Sequence, residues 1–342
     1  MSARRLLPLL ALTAPVAATG ADSPQTAQAA PPAATAQAPV ALLVDLSAGR
    51  TLYAREAERR ILPASMTKAM TTLVAFDLIK AGKLREDAVV TVRPETAARW
   101  AGRGTSLNLR GGERITVEQL LRGTATVSAN DAAVALAEAG LGSMEAWTAA
   151  MNARAQSLGM SGSHFANPSG LPDRGATHVT ARDMVRLAQA LLVDHPALYR
   201  RYIGQSAMDW RGSRLASHDP FVGVVAGADG IKTGHTFEAG FNFLGAVERG
   251  GRRLIVVVAG VPTEPGRARA ARDLVEWGYA AWDSRDWLKP GDRLGEVRIQ
   301  QGAARSVPVT VPRAFRLTTI KGHAPVVRTR IVYSGPLVAP VA

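Results

Sequence analysis

The chain has 342 residues, 47% of them hydrophobic, which fits a globular protein with one large domain and a smaller one. It contains no cysteine, so disulfides, thiolate nucleophiles and thiolate metal sites are excluded. The net charge is +13, which fits charges spread over solvated faces in an arginine-rich chain or, alternatively, attraction to an anionic polymer or membrane surface. The basic residues are scattered and only 5% of residues are aromatic, so we expect no nucleic-acid binding.

The N-terminal sequence is typical of a secreted protein. Two arginines precede a 13-residue apolar stretch at 6–18, which is too short to cross a bilayer. We therefore predict a signal peptide over 1–21, with cleavage as late as Ala29, and export across the inner membrane to the periplasm. Residues 22–39 are rich in Ala, Pro, Gln and Thr and are predicted to form a disordered linker.

The first half of the remaining chain alternates short strands and helices. Apolar runs at 41–45 and 51–54 flank a turn and predict a hairpin. Pro63 precedes a predicted helix over 65–81, which Gly82 ends. Further helices are predicted over 117–122 and 131–139.

The second half begins with a segment rich in Gly, Pro, Ser and Asn, which predicts a long loop over 161–178. A helix over 180–193 follows, with Thr180 as its N-cap and Asp183 at the third position. Strands are predicted over 240–247 and 254–259, and a closing helix over 267–282. From 284 to 342, short valine-rich runs separated by Gly and Pro indicate a small β domain.

Lysine is scarce in this chain, and one lysine has an unusual neighbour. Only six of the 41 basic residues are lysines, and Ser65 is the only serine with a lysine, Lys68, three positions later. On a helix this spacing places hydroxyl and amine on one face. Lysine can lose its proton when buried, whereas arginine cannot. The pair therefore predicts a nucleophile, Ser65, beside its general base, Lys68.

Two further motifs follow in order, Ser128-Ala129-Asn130 and Lys232-Thr233-Gly234. Each is weak alone, but the ordered set indicates a serine acyl-transfer site. Ser128 can relay a proton between Lys68 and a leaving amine, and Asn130 offers a donor and an acceptor to a substrate amide.

The third motif is suited to the end of a peptide. Lys232 supplies a positive charge and Thr233 a hydroxyl, which together fit a free carboxylate. Gly234 allows a strand edge to approach a peptide closely. The backbone N–H of His235 is a candidate second oxyanion donor beside that of Ser65, which lies at a predicted helix N-terminus.

With these motifs the chain resembles the low-molecular-mass penicillin-binding proteins of the D-alanyl-D-alanine carboxypeptidase type, over about residues 40–282. The segments that carry the resemblance include Leu62-Pro63-Ala64-Ser65-Met66-Thr67-Lys68, Thr116-Val117-Glu118-Gln119-Leu120-Leu121, Ser128-Ala129-Asn130-Asp131-Ala132, Asn167-Pro168-Ser169-Gly170-Leu171, Thr180-Ala181-Arg182-Asp183-Met184 and Asp229-Gly230-Ile231-Lys232-Thr233-Gly234-His235-Thr236.

The resemblance implies an α+β fold. A β-lactamase/transpeptidase-like serine peptidase domain, an antiparallel sheet flanked by helices, would span 40–283. A small and apparently incomplete β domain would span 284–342, and without the family's amphipathic C-terminal helix we expect weak or absent membrane association. The implied ligands are peptidoglycan stem peptides and β-lactams, with no metal and no cofactor. Arg267 looks like a family arginine near the carboxylate site, whereas His218 departs from the family pattern there.

The resemblance implies a serine D-alanyl-D-alanine carboxypeptidase that acts through an acyl-enzyme. A DD-endopeptidase that cuts peptidoglycan cross-links has the same motifs, and a weakly active peptidoglycan-binding protein is a third alternative. A β-lactamase fits less well, because that activity usually needs a glutamate-positioned water and the 161–178 loop contains no glutamate.

Overall fold

The computed structural model describes residues 30–323, 327, 330–333 and 337–338. The predicted signal peptide and the linker before residue 30 lie outside them. The described residues form two compact units, which divide between Ser284 and Arg285.

The larger unit contains eight helices among the described residues. They are α1 (Thr67–Lys80), α2 (Pro94–Trp100), α3 (Val117–Arg122), α4 (Asn130–Leu141), α5 (Met144–Ser157), α6 (Ala181–Asp194), α7 (Pro196–Tyr202) and α8 (Glu264–Ala280). Its strands are β1 (Val40–Asp45), β2 (Arg50–Arg55), β3 (Val89–Thr91), β4 (Arg114–Thr116), β5 (Ala207–Trp210), β6 (Ser213–Ala216), β7 (Ala228–Thr236), β8 (Gly240–Arg249) and β9 (Arg252–Val261).

Five of these strands form an antiparallel sheet in the order β2-β1-β9-β8-β7. The predicted hairpin at the start of the chain is confirmed as β1–β2, and the predicted strands across the 249–252 turn are confirmed as β8–β9. β7, which carries the Lys-Thr-Gly motif, has β8 as its only neighbour in this sheet and therefore lies at its edge. The pairs β3–β4 and β5–β6 are separate two-stranded ribbons.

Both faces of the central strands are buried, which explains their nearly continuous apolar sequences. Alternate residues of β1, such as Leu42, belong to the main core, which also contains residues of α1, α4 and α6. Leu43 points the other way, since a Cβ added to Gly278 of α8 would meet it at 2.6 Å. The sheet is therefore sandwiched between α8 and the remaining helices, and the fold predicted from the resemblance is confirmed.

The predicted disorder of 22–39 is wrong for its last part. Ala33–Gln37 form a 3-10 turn, and the side chain of Thr35 is fully buried. Arg55 of β2 donates to the Thr35 carbonyl at 2.9 Å. Composition cannot reveal this order, because it depends on a partner 20 residues along the chain.

The helix predictions hold best where local signals are strong. α3 has the predicted bounds, and the Thr180 side chain accepts from Asp183 N as expected for the N-cap of α6. α1 begins at Thr67, two residues later than predicted, because Ala64–Met66 form a separate 3-10 turn. None of the helices in the described part of the chain has the length and apolarity needed to span a bilayer.

The smaller unit is built from short strands. β10 (Trp282–Leu288) begins at the end of the larger unit and pairs with β13 (Phe315–Ile320). β11 (Arg293–Gln300) pairs with β12 (Ser306–Thr310) and with β14 (Leu337–Val338).

Candidate active site

Ser65 lies in the middle of the 3-10 turn that precedes α1, hereafter the nucleophile turn (Ala64–Met66). Ala64 has a positive φ of 48°, which is costly for a residue with a Cβ. Gly170 packs against it so closely that an added Cβ would lie 1.8 Å from the Ala64 carbonyl oxygen. The strained turn is therefore held in place by the loop that contains Gly170.

Lys68 is fully buried on the first turn of α1, and its Nζ lies 2.8 Å from Ser65 Oγ. Nζ is also 2.7 Å from Asn130 Oδ1 and 2.6 Å from the Ser169 carbonyl oxygen. A neutral amine has two N–H groups for these two acceptors and one lone pair for the Ser65 hydroxyl proton. The geometry therefore suits Lys68 as a proton acceptor.

Electrostatics favours the same protonation state. Burial lowers the pKa of Lys68 well below its usual 10.5, and the positive charge of Lys232 lowers it further. The carboxylate of Asp131 acts in the opposite direction. Lys68 thus combines contact with the nucleophile and a tendency to lose its proton, as a general base requires.

The second motif lies where α3 ends and α4 begins. Gly123–Val127 form a π-helical turn, and Ser128 ends it with a left-handed φ of 73°. Within the described residues, the Ser128 hydroxyl has no hydrogen-bond partner. Strained serines and π-turns are frequent at functional sites, and a hydroxyl without a partner is available to a ligand.

Asn130 has internal partners for both ends of its amide. Its Oδ1 accepts from Lys68, and its Nδ2 donates to the Arg103 carbonyl at 2.7 Å. The sequence predicts a substrate-binding role for Asn130, whereas in this structure its amide oxygen accepts from Lys68. Asp131 supports the same region, since its carboxylate accepts from the backbone N–H groups of Leu107 and Leu109.

The third motif places a buried cation on the edge strand β7. Lys232 is buried and forms no ion pair with any carboxylate in the described part of the chain. Burial and the nearby charge of Arg267 lower the pKa of Lys232 to about 8, and Asp219 acts against this. A buried cation without a counterion is suited to an anionic ligand.

Arg267 adds a second buried cation. It is 3% exposed, and its Nη2 pairs with Glu264 Oε1 at 3.0 Å. Its Nε is buried and has no hydrogen-bond partner among the described residues. Burial lowers the pKa of His218, and the charges of Lys232 and Arg267 lower it further, so His218 belongs to the same electropositive region.

Gly234 brings β7 against the nucleophile turn. A Cβ on Gly234 would lie 2.3 Å from the Pro63 carbonyl oxygen and 3.1 Å from Met66 N. His235 follows, and its ring stacks on Phe241 with centroids 3.9 Å apart. The backbone of His235 is therefore held beside the turn that carries Ser65.

Sequence reasoning missed the contribution of the 161–178 loop. Its Ser169 carbonyl contacts Lys68, and Asn167 shapes the loop by accepting from Ser169 N at 3.1 Å and Gly170 N at 2.6 Å. Thr71 of α1 also donates to the Pro168 carbonyl at 2.7 Å. The Asn-Pro-Ser-Gly sequence signalled a defined turn, but no residue type signals a catalytic carbonyl.

No cluster of three or more His, Asp or Glu side chains arranged to hold a metal occurs among the described residues.

The D-alanyl-D-alanine carboxypeptidase model of peptidase family S11 matches residues 25–263. D-alanyl-D-alanine carboxypeptidase DacA of Escherichia coli K12 is 32% identical over 314 residues, which cover 85% of this chain and 77% of that protein. DacD of Salmonella typhimurium is 32% identical over 320 residues, covering 91% of this chain and 80% of that protein.

Solved structures agree with these relatives. Penicillin binding protein 5 of Haemophilus influenzae superposes with a TM-score of 0.82 at 31% identity, covering 92% of this chain and 91% of that one. Penicillin-binding protein D2 of Listeria monocytogenes, solved in an ampicillin-bound form, gives a TM-score of 0.64 at 29% identity over 71% of this chain and 98% of its own. The chain therefore belongs to the S11 family of D-alanyl-D-alanine carboxypeptidases.

Proposed function

We propose that this chain is a serine D-alanyl-D-alanine carboxypeptidase that removes the terminal D-alanine from peptidoglycan stem pentapeptides and is acylated by penicillin. The observation that carries the proposal is the 2.8 Å contact between Ser65 Oγ and the Nζ of a fully buried Lys68 whose pKa is lowered. Family membership supplies the substrate class.

In the first step, neutral Lys68 accepts the Ser65 proton while Oγ attacks the carbonyl carbon of the penultimate D-alanine. The carbonyl oxygen becomes an oxyanion between the backbone N–H groups of Ser65 and His235. The C–N bond then breaks, and the proton passes through Ser128 to the departing amine, which leaves as D-alanine. The peptide remains on Ser65 as an ester.

In the second step, water attacks the ester carbonyl and loses a proton to Lys68. The C–O bond to Ser65 breaks, Oγ recovers a proton, and the shortened stem peptide leaves with a new carboxylate. Each step therefore returns Lys68 to its neutral form, which is the form that its burial favours.

Substrate selection rests on the cations beside β7. Lys232 and Thr233 bind the terminal carboxylate, and Arg267 adds a second positive charge behind them. These buried cations are suited to the free carboxylate that a stem pentapeptide presents at its C-terminus.

The same proposal places the protein in the periplasm, where its substrate is. The predicted signal peptide supports this location, and the net charge of +13 supports attraction to anionic surfaces.

The test is labelling with a fluorescent penicillin, followed by mapping of the modified peptide and an assay of D-alanine release. We expect the label on Ser65, and we expect Ser65→Ala to lose both labelling and release. Labelling that persists in the alanine variant would assign the nucleophile to another residue.

A further inference from the structure

The two proposed oxyanion donors belong to different elements. The Ser65 N–H lies on the nucleophile turn, and the His235 N–H lies on β7. Oxyanion stabilisation depends on donors that are fixed at the right spacing before the reaction. Some contact must therefore hold the nucleophile turn to the sheet, and Gly234 supplies only the close approach, not a bond.

Asn242 of β8 makes such a bond. It lies directly opposite Gly234 in the β7–β8 register and is 1% exposed. Its Nδ2 donates to the Leu62 carbonyl at 2.9 Å, just before the turn, and its Oδ1 accepts from Gly260 N of β9 at 2.8 Å. One buried amide thus joins two sheet strands to the chain that leads into Ser65.

The sheet is locally adapted to this contact. The β8–β9 register shifts between Phe241 and Phe243, so Asn242 sits at an irregularity in the ladder. The Asn242 side chain accepts a hydrogen bond from the Gly260 N–H, which in a regular ladder would donate to a backbone carbonyl. Bulges of this kind often redirect a side chain next to an active site.

We propose that Asn242 is a positioning residue for acyl transfer, which ties the nucleophile turn to the sheet and so sets the spacing between the Ser65 and His235 N–H groups. The inference rests on the proposed function. It also predicts which kinetic steps change, because Asn242 has no hydrogen bond to Lys68 or to the cations proposed to bind the carboxylate. Its loss should slow acylation while leaving substrate affinity and the titration of Lys68 unchanged.

The experiment compares Asn242→Ala and Asn242→Asp with the wild type in penicillin acylation and in D-alanine release from a stem pentapeptide. Tyr279→Phe is the matched control, since the Tyr279 hydroxyl also joins another element to this sheet, donating to the carbonyls of Val247 at 3.0 Å and Arg252 at 2.9 Å, at the end of β8 and β9 away from the nucleophile turn. Thermal unfolding is recorded for every variant.

We expect Asn242→Ala to lower the acylation rate and kcat about 10- to 100-fold, with KM changed by less than about threefold. Tyr279→Phe should lower the unfolding temperature but keep kcat. The aspartate variant adds a second signature. A buried carboxyl has a raised pKa, and its protonated form can again donate to Leu62 O. The ratio of Asn242→Asp activity to wild-type activity should therefore rise as the pH falls, whereas the ratio of Asn242→Ala activity to wild-type activity should stay constant.

The inference is overturned if Asn242→Ala keeps wild-type kcat, or if Tyr279→Phe loses kcat to the same extent. If Asn242→Ala does not fold, the pH response of Asn242→Asp decides the question. A ratio of Asn242→Asp to wild-type activity that does not change with pH counts against the positioning role of Asn242. Absence of acylation and D-alanine release in the wild type would instead refute the proposed function.

Discussion

In the proposed mechanism, the charge state of Lys68 decides whether Ser65 can react. Arginine would keep the positive charge but could not accept the serine proton, because its pKa stays far above neutrality. We therefore expect Lys68→Arg to be nearly as inactive as Lys68→Ala, with acylation slowed by about 10²- to 10⁴-fold.

The pH dependence of the wild type is the accompanying measurement. In the proposed mechanism only neutral Lys68 accepts the serine proton, so the acylation rate should fall as the pH drops through the lowered pKa of Lys68, well below the usual 10.5. If Lys68→Arg turned over substrate at the wild-type rate, Lys68 would act through its positive charge and not as a proton acceptor.

Lys232 predicts a second pH effect, of opposite sign. We propose that its cationic form binds the terminal carboxylate, and this form is lost as the pH rises through the Lys232 pKa of about 8. Below that pH a stem peptide ending in a free acid should be preferred over its amide by about 10- to 150-fold, which corresponds to about 1.5–3 kcal/mol for a charge-assisted bond.

The measurement is the ratio of kcat/KM for the acid and the amide across the pH range. Lys68 affects both substrates equally, so its titration cancels in the ratio. The preference should decline above about pH 8. Equal rates for acid and amide at every pH would show that Lys232 does not bind the terminal carboxylate.

At the scale of elements, the 161–178 loop acts as part of the active site because it packs on the nucleophile turn. A Cβ at Gly170 would clash with Ala64 O at 1.8 Å and with Thr67 Oγ1 at 2.7 Å. Gly175 has a similarly positive φ in the same loop, yet its nearest neighbour in space would be Leu62 Cδ2 at 4.0 Å.

These two glycines make a matched pair of alanine substitutions. Both variants carry the cost of a positive φ, about 1 kcal/mol. Only Gly170→Ala must also displace the loop or the turn, so we expect its penicillin acylation to fall by about 10²-fold. Gly175→Ala should acylate like the wild type at a slightly lower unfolding temperature. Equal acylation by both variants would mean that this packing does not position Ser65.

The sequence predicts elements and side chains well where the signals are local. The Thr180 cap, the bounds of α3 and the hairpin β1–β2 follow from residues that are close in the chain. The three motifs also reveal Ser65 and Lys68, because their chemistry depends on residue type.

What the sequence does not reveal depends on distant partners. The Ser169 carbonyl that contacts Lys68 is a backbone atom that any residue could supply. The Asn242–Leu62 bond spans 180 positions, and the ordered turn at 33–37 relies on Arg55. Only the folded chain brings these groups together.

At the scale of the molecule, every proposed catalytic residue lies in the unit that ends at Ser284. The family match ends at residue 263, but α8, which follows it, covers one face of the sheet. Its Leu274 and Val275 are fully buried, and Gly278 packs on Leu43 and Leu254. The structural limit of the catalytic unit is therefore set by α8 and the short segment after it.

Two truncations test this limit. A chain ending at Ser284 keeps α8 and Trp282, whose ring packs edge-on against Trp277 at 6.0 Å. We expect it to be acylated by fluorescent penicillin at the wild-type rate.

A chain ending at Thr263 exposes the sheet face, and each buried Leu or Val lost costs about 1.5–3 kcal/mol, against a total stability of about 5–15 kcal/mol. We expect this shorter chain to be unfolded by circular dichroism and unlabelled. A folded, labelled chain ending at Thr263 would show that α8 is dispensable, and an unlabelled chain ending at Ser284 would show that the catalytic unit needs the residues from Arg285 onward.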